Sequence, residues 1–144
     1  MIIGIGTDIT RIARIEETLA AQGDRFKERC FAPEERAHVE KNPDVSPAGG
    51  YAKRWAAKEA TAKALGLGIR DGIYLKDIVI LNDDAGRPTL SLQGGAAARL
   101  AAILPEGAVA DLHVSLSDEG GMAIAFVVIS AVADKDKPER NKNA

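Results

Sequence analysis

Tyr51 to Arg70 reads YAKRWAAKEATAKALGLGIR, an alanine-rich run without proline that closes on Gly66 and Gly68, and it predicts a helix ending at the first of those glycines. Ala52, Ala56, Ala60 and Ala64 follow an i, i+4 row. One side of this helix is therefore a stripe of small residues that a sheet or a second helix can approach closely. Glu59 and Lys63 stand one turn apart, so a carboxylate and an ammonium share a face. In that order they make an ordinary surface ion pair of roughly 0.3 to 0.5 kcal/mol. Where such a face lines a cleft, the same two charges can hold a cation and a phosphate side by side.

Before this helix, Met1 to Ile9 is isoleucine-rich and punctuated by Gly4 and Gly6, which predicts a strand with close backbone contacts. Ile12, Ile15 and Leu19 mark a helix face that fades at Gly23. Asp24 is placed to cap a turn running to Cys30, and Pro33 opens a second short helix, PEERAHVEK. Asn42 to Gly50 reads as a loop. After the central helix, Ile73 to Leu81 reads as a strand that turns at Asp83, Asp84 and Gly86 into Arg87 to Leu92. Gly94 to Leu104 reads as a helix. Val109 to Ser117 and Met122 to Val132 form a terminal hairpin through Glu119, Gly120 and Gly121. The pattern is α+β, with helices on a mainly antiparallel sheet. We expect a single domain over residues 1–132 and a disordered tail over 133–144, where charges dominate and apolar anchors are missing.

The length of 144 residues suits one self-supporting core, and with aromatics at 4% that core must come from Ile, Leu, Val and Ala. A net charge of −2 offers no basic footprint for nucleic acid or an anionic membrane. Cys30 is the single cysteine, so an internal disulfide and a multi-cysteine zinc site are excluded, which fits a reducing, cytoplasmic setting. Neither a secretory leader nor a membrane span is read at the amino end. Gly4 and Gly6 lack the third glycine of a dinucleotide loop, and no Walker loop follows a strand.

Four segments stand in register: GIGTDITRIARIE from Gly4, AKRWAAKEATAKALGLGIRDGI from Ala52, the turn Gly86 to Pro88, and HVSLSDE from His113. In order and spacing they resemble bacterial holo-acyl-carrier-protein synthases, small 4′-phosphopantetheinyl transferases. The resemblance implies transfer of 4′-phosphopantetheine from coenzyme A to a serine of acyl carrier protein, leaving adenosine 3′,5′-bisphosphate and serving fatty acid biosynthesis. It implies a homotrimer with coenzyme sites between protomers. It also implies Mg²⁺ between protein carboxylates and the coenzyme pyrophosphate, with Asp8 and Glu59 as the matching ligands. Read locally, Asp8 is equally a helix cap or a turn residue.

Lys63 matches the lysine that neutralises the pyrophosphate, and Glu59, or a metal-bound water it orients, matches the base for the serine proton. Arg54, Arg87, Pro88 and His113 match coenzyme-binding positions; Arg54 also reads as a solvated side chain and His113 as a structural one. Trp55 reads as core. Asp118 stands where many relatives have histidine, which puts a role at that position in doubt. Arg11 and Arg14 sit near a helix start, where cations oppose the dipole. Either Glu16 or Glu17 compensates them, or an acidic carrier does; the matching segment is a carrier-docking helix, with Arg14, Arg25 and Phe26 as contacts. A non-catalytic carrier-binding module and a metal-dependent phosphohydrolase are the other classes compatible with these residues.

Overall fold

The computed structural model describes residues 1–70 and 72–134; nearly all of the tail expected to be disordered lies outside them. Strand β1 (Ile2–Arg11) leads into α1 (Ile12–Gln22), α2 (Asp24–Cys30), α3 (Pro33–Val39) and the central helix α4 (Ala48–Ala64). A 3₁₀ turn (Leu75–Asp77) precedes β2 (Ile78–Asn82), β3 (Pro88–Leu92), α5 (Gly94–Ile103), β4 (Ala108–Glu119) and β5 (Met122–Ala133). The architecture is α+β. Antiparallel β1-β5-β4 form one sheet and β2-β3 a separate hairpin, with β3 lying against β4.

Helix α4 covers the inner face of the larger sheet. Ala52, Ala56, Ala60 and Ala64 are all buried, as the small-residue stripe requires. The approach is so close that a Cβ on Gly6 would stand 1.8 Å from the Ala60 carbonyl oxygen, and one on Gly4 2.0 Å from that of Ala64. The helix ends as its glycine predicts: Gly66, at φ 75°, donates to the Lys63 carbonyl while the next residue, Leu67, donates to that of Ala62. Ala125, Val127 and Ile129 of β5 meet the helix from the sheet, and Ile78, Ile80 and Leu90 close this core from the β2-β3 side. A second core joins Ile15, Phe26, Phe31, Tyr51 and Ala123. Cys30 belongs to this core, and burial pushes its thiol up.

Several boundaries differ from the pattern-based expectation. Strand β1 continues through Arg11 because it pairs with β5 as far as Met122. Asp24 is the first residue of α2, and Gly23 holds the cap position. Helix α4 starts at Ala48, inside the expected loop. The run from Ile73 yields a strand only from Ile78, since Leu75–Asp77 is wound into a 3₁₀ turn whose Leu75 carbonyl accepts from buried Lys58. Ile73 is buried without lying in a strand, so its β-branched side chain reports burial more than extended backbone.

Candidate active site

Register places Asp8 opposite Ala125 on β5, which in turn faces Leu116 on β4. Gly6, Asp8 and Thr10 alternate onto the face that α4 covers, and this brings Asp8 to the helix that carries Glu59 and Lys63. Lys63 Nζ lies 3.0 Å from Asp8 Oδ1 and donates to the Thr7 carbonyl at 2.8 Å. The other Asp8 oxygen accepts from Thr10 Oγ1 at 3.0 Å. Lys63 thus reaches across to the strand, and the anticipated pairing with Glu59 within the helix is replaced by pairing with Asp8.

Glu59 makes no side-chain hydrogen bond or ion pair among the described residues. Burial raises its carboxyl above the ordinary range, the negative charge of Asp8 raises it further, and Lys63 and Arg14 pull it back. Two carboxylates in mutual repulsion beside one lysine form an all-oxygen site short of positive charge. No group of three or more His, Cys, Asp or Glu gathers among the described residues. A pair suits Mg²⁺, which commonly takes one or two carboxylates and completes its shell with water and substrate phosphate.

On the same side of the sheet, a cavity of about 450 Å³ opens between the start of α4 and the β2-β3 turn. Its lining includes His38, Lys53, Arg54, Asn82, Pro88 and Leu116. Two strand spacings separate Asp8 from Leu116, roughly 10 Å. Arg54 is buried: Nε donates to the Ile80 carbonyl, Nη1 to Gly50 and Nη2 to Asn82 Oδ1. Asn82 in turn donates to the Gly86 carbonyl at 2.8 Å, tying the arginine to the turn that carries Pro88.

A family model described as the 4′-phosphopantetheinyl transferase superfamily matches residues 4–125. The chain belongs to that superfamily. A holo-[acyl-carrier-protein] synthase of Cereibacter sphaeroides is 56% identical over 131 residues, 91% of this chain and 94% of that protein. The crystal structure of the holo-[acyl-carrier-protein] synthase of Neisseria meningitidis superposes with a TM-score of 0.76 at 36% identity, covering 90% of this chain and 99% of the other. The Bacillus anthracis enzyme in complex with CoA (3′,5′-ADP) gives 0.70 at 34% identity, covering 90% and 96%.

The transferase fold sorts the remaining candidates. Pro88 lines the cavity, whereas Arg87 turns to Asp83 Oδ2 at 3.1 Å and stays exposed. His113 pairs in register with Val128, on the sheet face away from α4, and bonds to Asp111 at 2.8 Å. Within one chain it therefore does not join the Asp8 and Glu59 site. Arg14 is exposed on α1 and close enough to Glu59 to act on its carboxyl. Neither Arg11 nor Arg14 forms an ion pair with Glu16 or Glu17 among the described residues. Arg25 is exposed, but Phe26 is 2% exposed, with its ring 5.7 Å from those of Phe31 and Trp55. Phe26 is core, which corrects its assignment as a carrier contact: the second turn-length helix needs an apolar anchor, and this is it.

Sequence reasoning missed a buried ion pair. Lys58 Nζ lies 2.8 Å from Glu35 Oε2 with both side chains fully buried, and it also donates to the Leu75 and Ile78 carbonyls. Glu35 accepts from the Ala32 and Ile80 backbone N–H groups. The available signal was α4 itself: alanines around most of its circumference imply a helix buried on several sides, where a lysine must find a partner.

Proposed function

We propose that this chain transfers 4′-phosphopantetheine from coenzyme A to a serine hydroxyl of apo-acyl carrier protein, with Mg²⁺ at Asp8 and Glu59. The observation that carries the reading is the convergence of Asp8, Glu59 and Lys63, from a strand and a helix far apart in sequence, beside a cavity built by Arg54 and Pro88. The serine oxygen forms a bond to the β-phosphorus, the bond to adenosine 3′,5′-bisphosphate breaks, and the serine proton passes to Glu59 or to a water that it orients. Lys63 supplies a fixed positive charge to the pyrophosphate. Bound Mg²⁺ would neutralise charge on the transferred and leaving oxygens.

Arg14 and Arg25 form the carrier-facing side of this reading, since both are exposed cations that suit an acidic partner, and Arg14 is near enough to Glu59 to act on its carboxyl. A homotrimer fits as well. Ile5, Ile9, Ile124 and Phe126 are 60%, 59%, 42% and 47% exposed on the sheet face away from α4, an apolar surface that asks for a cover. A cytoplasmic location accords with the single free cysteine; no helix among the described residues is long and apolar enough to cross a membrane. The joint presence of Asp8, Glu59 and Lys63 favours catalysis over a binding module, and a site with only two carboxylates favours transfer over metal-dependent hydrolysis.

Incubating the protein with coenzyme A, Mg²⁺ and an apo-carrier, then weighing the carrier, tests the reading directly. A phosphopantetheine adduct is expected. Asp8→Ala and Glu59→Ala should each lower its rate by about two to three orders of magnitude with the circular dichroism spectrum retained. A folded Glu59→Ala protein with wild-type turnover would remove the metal role, and an unmodified carrier with the wild type would sink the activity itself.

A further inference from the structure

Thr10 carries a hydroxyl that its strand does not need. It lies on the α4-covered row of β1 with Gly6 and Asp8, pairs in register with Ala123 of β5, and is 4% exposed. Ala123 belongs with Ile15 and Ala52 to the second core. At such a position valine, nearly the same in shape and equally suited to a strand, would pack without requiring a partner. A buried hydroxyl has to be bonded, and the acceptor here is Asp8: Thr10 Oγ1 donates to Oδ2 at 3.0 Å. Thr10 makes no other side-chain hydrogen bond among the described residues. Asp118, which faces Ala123 from β4, is taken by Lys53 Nζ at 2.9 Å, so that acid of the same row is committed elsewhere.

The two oxygens of Asp8 are held differently. Oδ1 faces Lys63 at 3.0 Å, and the lysine side chain is 53% exposed, on a flexible stem that can let the oxygen go. Oδ2 is held by Thr10, whose β-branched side chain is stiff at χ1 and whose backbone is locked into the ladder with β5. Thr10 therefore limits rotation of the carboxylate and keeps Oδ1 on the side of Lys63, where the partner is exchangeable. Glu59 has no comparable anchor, so the pair combines one fixed carboxylate with one adjustable one.

We propose that Thr10 is a positioning residue for the metal site, its hydroxyl orienting Asp8 so that Oδ1 is the oxygen presented to a divalent cation. This rests on the Mg²⁺ reading above and deepens it, since it assigns the ligand oxygen of Asp8 and the group that aims it. Thr10 touches neither coenzyme nor carrier. It acts through Asp8, as outer-shell partners of ligating carboxylates do.

Calorimetric titration with Mg²⁺ of the purified protein saturated with coenzyme A, with no carrier present, reads metal affinity without turnover. Thr10→Val and Thr10→Ala should each weaken Mg²⁺ about tenfold, and Thr10→Ser, which keeps the hydroxyl, should recover most of that loss. For Thr10→Val, coenzyme affinity in excess EDTA and the melting temperature should stay at their wild-type values. In the transfer assay its half-saturating Mg²⁺ concentration should rise about tenfold, while turnover at saturating Mg²⁺ approaches that of the wild type. A folded Thr10→Val protein with wild-type Mg²⁺ affinity overturns the proposal, as does a serine variant as weak as the valine one. Equal losses of Mg²⁺ affinity and of metal-free coenzyme affinity would make Thr10 a packing residue only. A wild type that binds coenzyme A but no Mg²⁺ sinks the metal reading and the role of Thr10 with it, whereas indifference confined to the Thr10 variants sinks that role alone.

Discussion

Glu59 is a carboxylate that the fold disfavours in its charged form, since burial and Asp8 both raise its carboxyl. A group raised in this way stabilises the fold below its unfolded value, about 4.3 for glutamate, and that contribution is lost as pH rises through the folded value. At neutral pH the ionised side chain therefore counts against the metal-free protein. Glu59→Gln should raise the melting temperature at pH 7, the difference shrinking toward about pH 4, while transfer is abolished. Added Mg²⁺ should raise the melting temperature of the wild type and leave the glutamine variant in place. Identical melting of the two proteins at pH 7 would contradict the account of Glu59. The candidate residues were legible because four short segments recur in register. The partner of Lys63 was not, because helical spacing points to Glu59 and only strand packing supplies Asp8.

Helix α4 and strand β1 form a seam without side chains between them at Gly4 and Gly6. Gly6→Ala would drive a methyl group to 1.8 Å from the Ala60 carbonyl oxygen, so the helix must lift off the strand that carries Asp8. We expect a loss of about 3 kcal/mol in urea unfolding, with transfer falling as the Asp8 to Lys63 contact opens. A variant as stable as the wild type would mean the seam is looser than described. The Lys58–Glu35 pair fastens the other side of α4 to α3 and β2. Lys58→Met alone should cost about 3 to 5 kcal/mol by leaving Glu35 buried and unpaired. The double variant Lys58→Met with Glu35→Leu should lose less, a non-additivity that chemical denaturation can read. The alanine stripe and the glycines foretold the seam, since each follows from spacing within one element. The ion pair joins residues 23 positions apart and has no local signature.

Across the whole molecule, the larger sheet is covered on one face by α4 and carries Ile5, Ile9, Ile124 and Phe126 on the other. In the proposed assembly that second face is covered by neighbouring copies. Light scattering should report three times the chain mass, and Phe126→Glu should shift it toward the monomer with a loss of turnover. A wild type that stays monomeric at full activity would end the trimer reading. His113 lies on this outer face, so a coenzyme contact from it needs the neighbouring copy. By itself the sequence determined the order of the elements, the buried stripe, the close glycines and the choice of Asp8, Glu59 and Lys63 as candidates, because periodicity and short motifs are properties of adjacent residues. Only the tertiary structure decided that Lys63 pairs with Asp8, that Arg54 and Phe26 are buried, that His113 turns away from the site and that Asp118 meets Lys53. Each of those depends on register between strands or on the packing of one helix over a sheet, which bring distant residues together through backbone pairing that no local pattern records.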